Sequence, residues 1–135
     1  MSSFHPSAFL RNVLIADAAA SGATGLLTMA AAGILESWLG LPAALLRAAG
    51  LILVPYVAFV LYVGTREIVT SGSVWLIVAA NLLWAIASLV LLAGGWVAPT
   101  ALGYAFVIAQ AAVVALLGEL QYVGLRRQAG TVTAW

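Results

Sequence analysis

Asp17 is the residue in this chain best placed to do chemistry. It lies within an apolar stretch, NVLIADAAASGATGLLTMAAAG at 12–33, where a carboxyl group has no water to solvate it. Ser21, Thr24 and Thr28 follow at i+4, i+7 and i+11, the spacing that stacks side chains on one face of a helix. Asn81 and Glu119 recur at a comparable depth in later apolar stretches. Counted inward from the nearest basic end, all three lie about five to seven residues inside, roughly 8–10 Å at the helical rise of about 1.5 Å. Asp17, Asn81 and Glu119 therefore form a candidate intramembrane polar layer, and Ser21, Thr24 and Thr28 a polar stripe leading away from it. An aspartate at the centre of a membrane helix costs about 2.5–3.5 kcal/mol on insertion scales, and less nearer the interface. Such carboxyl groups must face inward and be paired or neutral, the condition that proton or cation exchange exploits. The same residues can equally serve as helix glue. Hydroxyls bond their own helix one turn back, Asn81 bonds across helices, and Arg11 or Arg126 reaches down to Asp17 or Glu119.

Other chemistries find no residues to carry them. His5 is the only histidine and precedes the first apolar stretch, so neither a metal site nor a hydrolase triad can be assembled around it. Met1 and Met29 make no axial pair for a haem, and without a lysine there is no retinal Schiff base. The chain has no cysteine, which removes disulfides, thiol catalysis and thiolate metal sites. Five basic residues and a net charge of +1 cannot form a phosphate-binding track, so no nucleic-acid partner is expected. No cofactor and no enzymatic activity are expected.

The elements that must position these residues follow from composition. With 65% hydrophobic and 7% charged residues in 135, and a mean hydropathy of +1.17, the chain is far from the soluble average of about 25% charged. Crossing a hydrocarbon core of about 30 Å takes about 20 apolar residues. Four such stretches, at 10–35, 43–65, 74–95 and 101–125, nearly exhaust the sequence. The expectation is an all-α membrane protein, one domain over 1–135, built as a four-transmembrane-helix bundle of two sequential hairpins. The first stretch is read as a retained span and not a cleaved secretory signal, because Asp17 interrupts what would be the signal's apolar region. Phe4 and Phe9 are expected near headgroup level, and Pro55 is expected to kink the second span.

Basic residues set the orientation. Arg11, Arg66, Arg126 and Arg127 flank one side, whereas the turns at 36–42 and 96–100 contain none, so both termini should be cytoplasmic. Arg47 is the exception, just inside the opposite face, and an ion pair between Glu36 and Arg47 would explain it. An internal repeat is visible between the halves. LGLPAALLRA at 39–48 parallels WVAPTALGYA at 96–105, and YVGTRE at 62–67 parallels YVGLRR at 122–127. Setting Asp17 against Asn81 places Thr24 on Ser88. Both hairpins would then point the same way, a parallel repeat and not the inverted kind.

Four spans in a short chain, with an acidic residue in the first, resemble small multidrug transporters in outline. That family uses a glutamate there, and its flanking motifs do not occur in this sequence. ADAAASG, LGLPAALLR, APTALGYAFV and ELQYVGLRR look instead like an uncharacterised family of small bacterial four-helix integral membrane proteins. This resemblance implies the fold and the bacterial cytoplasmic (inner) membrane, and it carries no activity. The leading functional expectation is an accessory or scaffold subunit, in contact with the lipid bilayer and with a membrane-protein partner or a homo-oligomer of itself. Its warrant is the small-residue helix faces and the lack of a catalytic set. The alternative is a small proton-coupled transporter or ion pathway using Asp17 and Glu119.

Overall fold

The computed structural model describes residues 3–131, with side chains described through Gln128. Four helices are long and apolar enough to cross a membrane: Ala8–Ala30, Ala43–Thr65, Ser71–Ala93 and Ala101–Gln128. They are the spanning parts of α1 (Ala8–Ala30), α3 (Ala43–Thr65), α4 (Ser71–Ala93) and α5 (Ala101–Thr131), and a short α2 (Ala32–Leu39) follows α1. The first span therefore ends earlier than 10–35 would have it. It breaks at Ala31, less than one turn after Thr28, whose hydroxyl bonds the carbonyls of Thr24 and Gly25. Hydroxyls that share helix carbonyls in this way bend helices. The third span begins at Ser71 and not at 74, because Thr70 caps it by accepting from the Ser73 N–H at 3.3 Å. Pro55 lies within α3, which continues through it.

Each spanning helix starts on a side chain that takes up otherwise orphaned N–H groups. Ser7 accepts from Leu10 N, and Thr100 from Gly103 N. Glu36 Oε2 accepts from Ala43 N at 2.9 Å, across the turn from α2 to α3.

Helix α1 packs along α3, and α4 along α5, each pair antiparallel. Arg11 reaches the Gly64 carbonyl while Gly25 meets Leu53, and Trp75 meets Tyr122 while Trp84 meets Gln110. The two pairs join mainly through α1 and α5, and α3 and α4 hardly touch. Small residues allow the closest approach: a Cβ at Gly50 would lie on Met29, 2.8 Å from Thr28 Oγ1 and 2.9 Å from the Gly25 carbonyl. One apolar cluster around Leu10, Leu14, Val60 and Leu125 closes the arginine-bearing end. Another, around Leu35, Leu39, Leu46 and Val107, closes the end with the 36–42 turn.

At the arginine end Ser3–Phe4 (β1) pairs antiparallel with Val69–Thr70 (β2), so the lead-in is tied to the α3–α4 connection. Phe4 is buried in the core and not at headgroup level, because this pairing carries it over Leu10 and Val69. At the other end Thr100 donates its N–H to the Leu39 carbonyl and its hydroxyl to the Trp38 carbonyl. Gly103 is required there, since any side chain would collide with the Leu39 carbonyl.

The polarity is that of a membrane protein. Leu26, Leu83, Ile86, Leu51 and Leu116 face outward, while Asp17, Ser21, Thr28, Asn81 and Gln121 are buried. Lipid gives helices no hydrophobic reason to associate, so close backbone approach and interhelical hydrogen bonds must hold them together.

Candidate functional site

The interior polar groups converge on Asp17, which is fully buried. Its Oδ1 accepts from Ser21 Oγ at 3.0 Å, one turn along α1. Its Oδ2 accepts from the Tyr56 hydroxyl of α3 at 2.7 Å, Asn81 Nδ2 of α4 at 3.0 Å and Gln121 Nε2 of α5 at 2.7 Å. All four spanning helices thus meet on one carboxyl group, and every donor is a neutral side chain. Asn81 Nδ2 also donates to Gln121 Oε1 at 2.8 Å, which closes the ring between α4 and α5. No buried side-chain polar atom among the described residues lacks a partner.

Tyr56 gives this knot two proton arrangements. Its hydroxyl lies 2.7 Å from Asp17 Oδ2 and 3.0 Å from Asn81 Oδ1, but it carries one hydrogen. With Asp17 ionised, Tyr56 donates to the carboxylate. With Asp17 protonated on Oδ2, the carboxyl donates to the phenol oxygen, and Tyr56 turns its hydrogen to Asn81.

Of the layer expected from the sequence, Asp17 and Asn81 are in direct contact. Glu119 is not with them. It lies on the exposed face of α5, and Gln121, two residues on and about 200° around the helix, points inward. The stripe divides in two. Ser21 joins the knot, whereas Thr24 and Thr28 bond helix carbonyls, Thr24 that of Ala20 at 2.9 Å. Among the described residues Glu36 and Arg47 form no ion pair. Glu36 caps α3 by accepting from the Ala43 N–H, and both it and Arg47 are exposed, where a pair of charged side chains gains little from closing.

Gln121 and Tyr56 are the members the sequence reading missed. A signal for Gln121 was present: Gly118 and Gly124 lie three residues to either side, and both press against other helices, at Asn81 and Leu10. Small residues mark the inward face of a membrane helix. Tyr56 carried no such mark.

A second, neutral cluster lies farther from the arginine end. Trp84 Nε1 donates to Gln110 Oε1 at 2.9 Å, and Gln110 Nε2 donates to Ser88 Oγ and to the Val107 carbonyl, both at 2.9 Å. Between the two clusters is a cavity of about 380 Å³ bounded by all four spanning helices. A second cavity of about 290 Å³ shares Thr24, Trp84 and Gln110 with it and continues toward Leu41 and Leu91. Both lie behind the seam where α3 and α4 hardly touch.

No family profile, curated protein or solved structure matches this chain. The site must be interpreted from its own geometry. Among the described residues no group of three or more His, Cys, Asp and Glu could hold a metal ion. What remains is a carboxyl group committed to neutral hydrogen bonds and a largely apolar cavity one residue layer away.

Proposed function

We propose that this protein is a non-enzymatic accessory or scaffold subunit of the bacterial cytoplasmic membrane that packs against other membrane proteins or itself. The observation that carries this reading is the closure of Asp17: its carboxyl group is sealed by donors from all four spanning helices. The most reactive group in the spans is thus engaged in holding the bundle together. Orientation with both termini cytoplasmic is supported by the gathering of Arg11, Arg66 and Arg127 at one end. There Arg11 donates to the Gly64 and Arg66 carbonyls, and Arg127 lies 5.0 Å from the Phe9 ring.

A parallel repeat has support in equivalent contacts. Arg66 lies over Tyr62 at 4.6 Å and Arg126 over Tyr122 at 5.8 Å, so the YVG-x-R motif makes the same i,i+4 cation–π pair in each half. Thr24 bonds the Ala20 carbonyl as Ser88 bonds that of Trp84. Asp17 and Asn81 touch, as equivalent residues do when they lie near the axis that relates two parallel repeats. The resemblance to small bacterial four-helix membrane proteins is consistent with this architecture.

The alternative, a proton-coupled pathway through Asp17 and Glu119, is favoured by one observation: the cavity reaches Tyr56 and Asn81, both bonded to Asp17. Solubilisation in mild detergent, with identification of co-purifying chains, tests the first reading. A stoichiometric partner or a defined homo-oligomer is expected, and a monomer under every condition would overturn it. Proton flux in proteoliposomes tests the alternative. Equal background leak for the parent and Asp17→Asn is expected, and flux that Asp17→Asn abolishes would favour the pathway.

A further inference from the structure

The cavity between the two polar clusters has a hydrogen-bonding character that its apolar walls conceal. Six side chains along it carry polar atoms: Ser21, Thr24, Tyr56, Asn81, Trp84 and Gln110. Every N–H or O–H hydrogen they possess is already donated inside the protein. Ser21 and Tyr56 donate to Asp17, and Thr24 to Ala20. Asn81 donates to Asp17 and Gln121, Trp84 to Gln110, and Gln110 to Ser88 and Val107. What these residues retain are oxygen lone pairs, on the Ser21 and Thr24 hydroxyls and on the Asn81 and Gln110 amides. A group that only accepts hydrogen bonds finds no donor there, and an anion would also lie beside the Asp17 carboxyl group. A group that donates finds several acceptors among walls that are otherwise apolar.

We infer that this cavity binds an apolar molecule with a hydrogen-bond-donating head, a hydroxyl or an ammonium, that enters from the bilayer through the α3–α4 seam. Ile52, Leu53, Phe106 and Leu117 enclose the apolar body, and the head sits toward the acceptors. The adjoining cavity toward Leu41 and Leu91 gives a chain room to extend along the span. This inference shares the closed Asp17 knot with the scaffold reading but is tested apart from it, because quenching reads the interior and co-purification the outer faces.

The test uses the full chain in nanodiscs, with Trp38, Trp75, Trp96 and Trp135 changed to Phe so that Trp84, in the cavity wall, is the sole fluorophore. The quenchers are 10-bromodecan-1-ol, 10-bromodecylamine and the methyl ether of the bromo-alcohol, each titrated over the same range of mole fraction in the bilayer. One buried hydrogen bond corresponds to roughly a tenfold preference, so the alcohol, the amine or both should quench at about one tenth the ether's concentration. Preference for the amine that Asp17→Asn removes would assign the ammonium, and equal action of alcohol and amine the hydroxyl. Ether equal to or better than both would overturn the inference. Ala109→Leu and Ala80→Leu, which narrow the cavity from α5 and α4, separate binding from contact at the lipid surface. Donor-selective quenching should fall in whichever variant retains parent helicity and a monodisperse elution. Quenching unchanged in such a variant would also overturn the inference.

Discussion

The two polar clusters in the bundle differ in a way that shows what a carboxyl group demands of a membrane fold. The Gln110 cluster is neutral and half-buried, and it links α4 to α5. The Asp17 cluster is fully buried and gathers one donor from each of α1, α3, α4 and α5. A neutral amide can be satisfied by one neighbouring helix and a carbonyl of its own. A carboxyl group, with about four lone-pair sites and no water, draws in donors from everything that packs around it. The first cluster therefore strengthens one helix pair, whereas the second determines how both pairs meet.

The largest effect should come from Asp17→Ala, which leaves the donors of Tyr56, Asn81 and Gln121 without their shared acceptor. Membrane hydrogen bonds average about 0.6 kcal/mol and reach about 1.7, so the loss over several bonds should be about 2–4 kcal/mol in a reversible detergent-unfolding titration. A loss no larger than that of Gln110→Leu would erase the contrast between the clusters. Asp17→Asn sharpens it. An amide oxygen at the Oδ2 position keeps the three interhelical donors, and the amide nitrogen can donate to Ser21, so the cost should stay below about 1 kcal/mol.

Gln121→Leu should cost about 1–2 kcal/mol, since it removes the α5 donor to Asp17 and the acceptor for Asn81. A double-mutant cycle with Asp17→Asn should show coupling. Additive losses would mean that the two do not act as one unit. Gln110→Leu should cost about 0.5–1 kcal/mol, and crosslinking between cysteines placed on α1 and α3 should be unaffected because none of the hydrogen bonds of Gln110 reaches either helix. The smallest effect belongs to Glu119→Gln. Its exposed face leaves stability within about 0.5 kcal/mol of the parent, and a cost matching that of Gln121→Leu would mean that α5 is rotated from the orientation described.

Glu119 and Gln121 also show where sequence reasoning stopped. Depth along α5 was legible, because the apolar stretch has a length and basic residues mark its end. Rotation was not, because α5 is apolar nearly all round and hydrophobic periodicity assigns no inner face to such a helix. Two residues of difference then separate the lipid side from the core. Asp17 and Asn81 were legible because each is the strongest polar residue of its span, whereas Tyr56 lies mid-span beside Pro55 with nothing in its neighbours to say which way its hydroxyl points. The small residues were legible too, but their use was not. Gly25, Gly50, Gly118 and Gly124 are all occupied in packing within the chain, so they are no longer free to support an accessory role.

By itself the sequence determined the number and approximate extent of the spans, the side on which the arginines gather and the need for Asp17 to be buried with partners. These follow from hydropathy, length and the cost of a carboxyl group in hydrocarbon, which are properties of each segment alone. Only the tertiary structure decided that Gln121 and not Glu119 completes the layer, that Glu36 caps α3 and does not pair with Arg47, and that a cavity opens behind a loose α3–α4 seam. Those outcomes depend on helix rotation and on which neighbours arrive first at a limited set of donors and acceptors. No single segment carries that information.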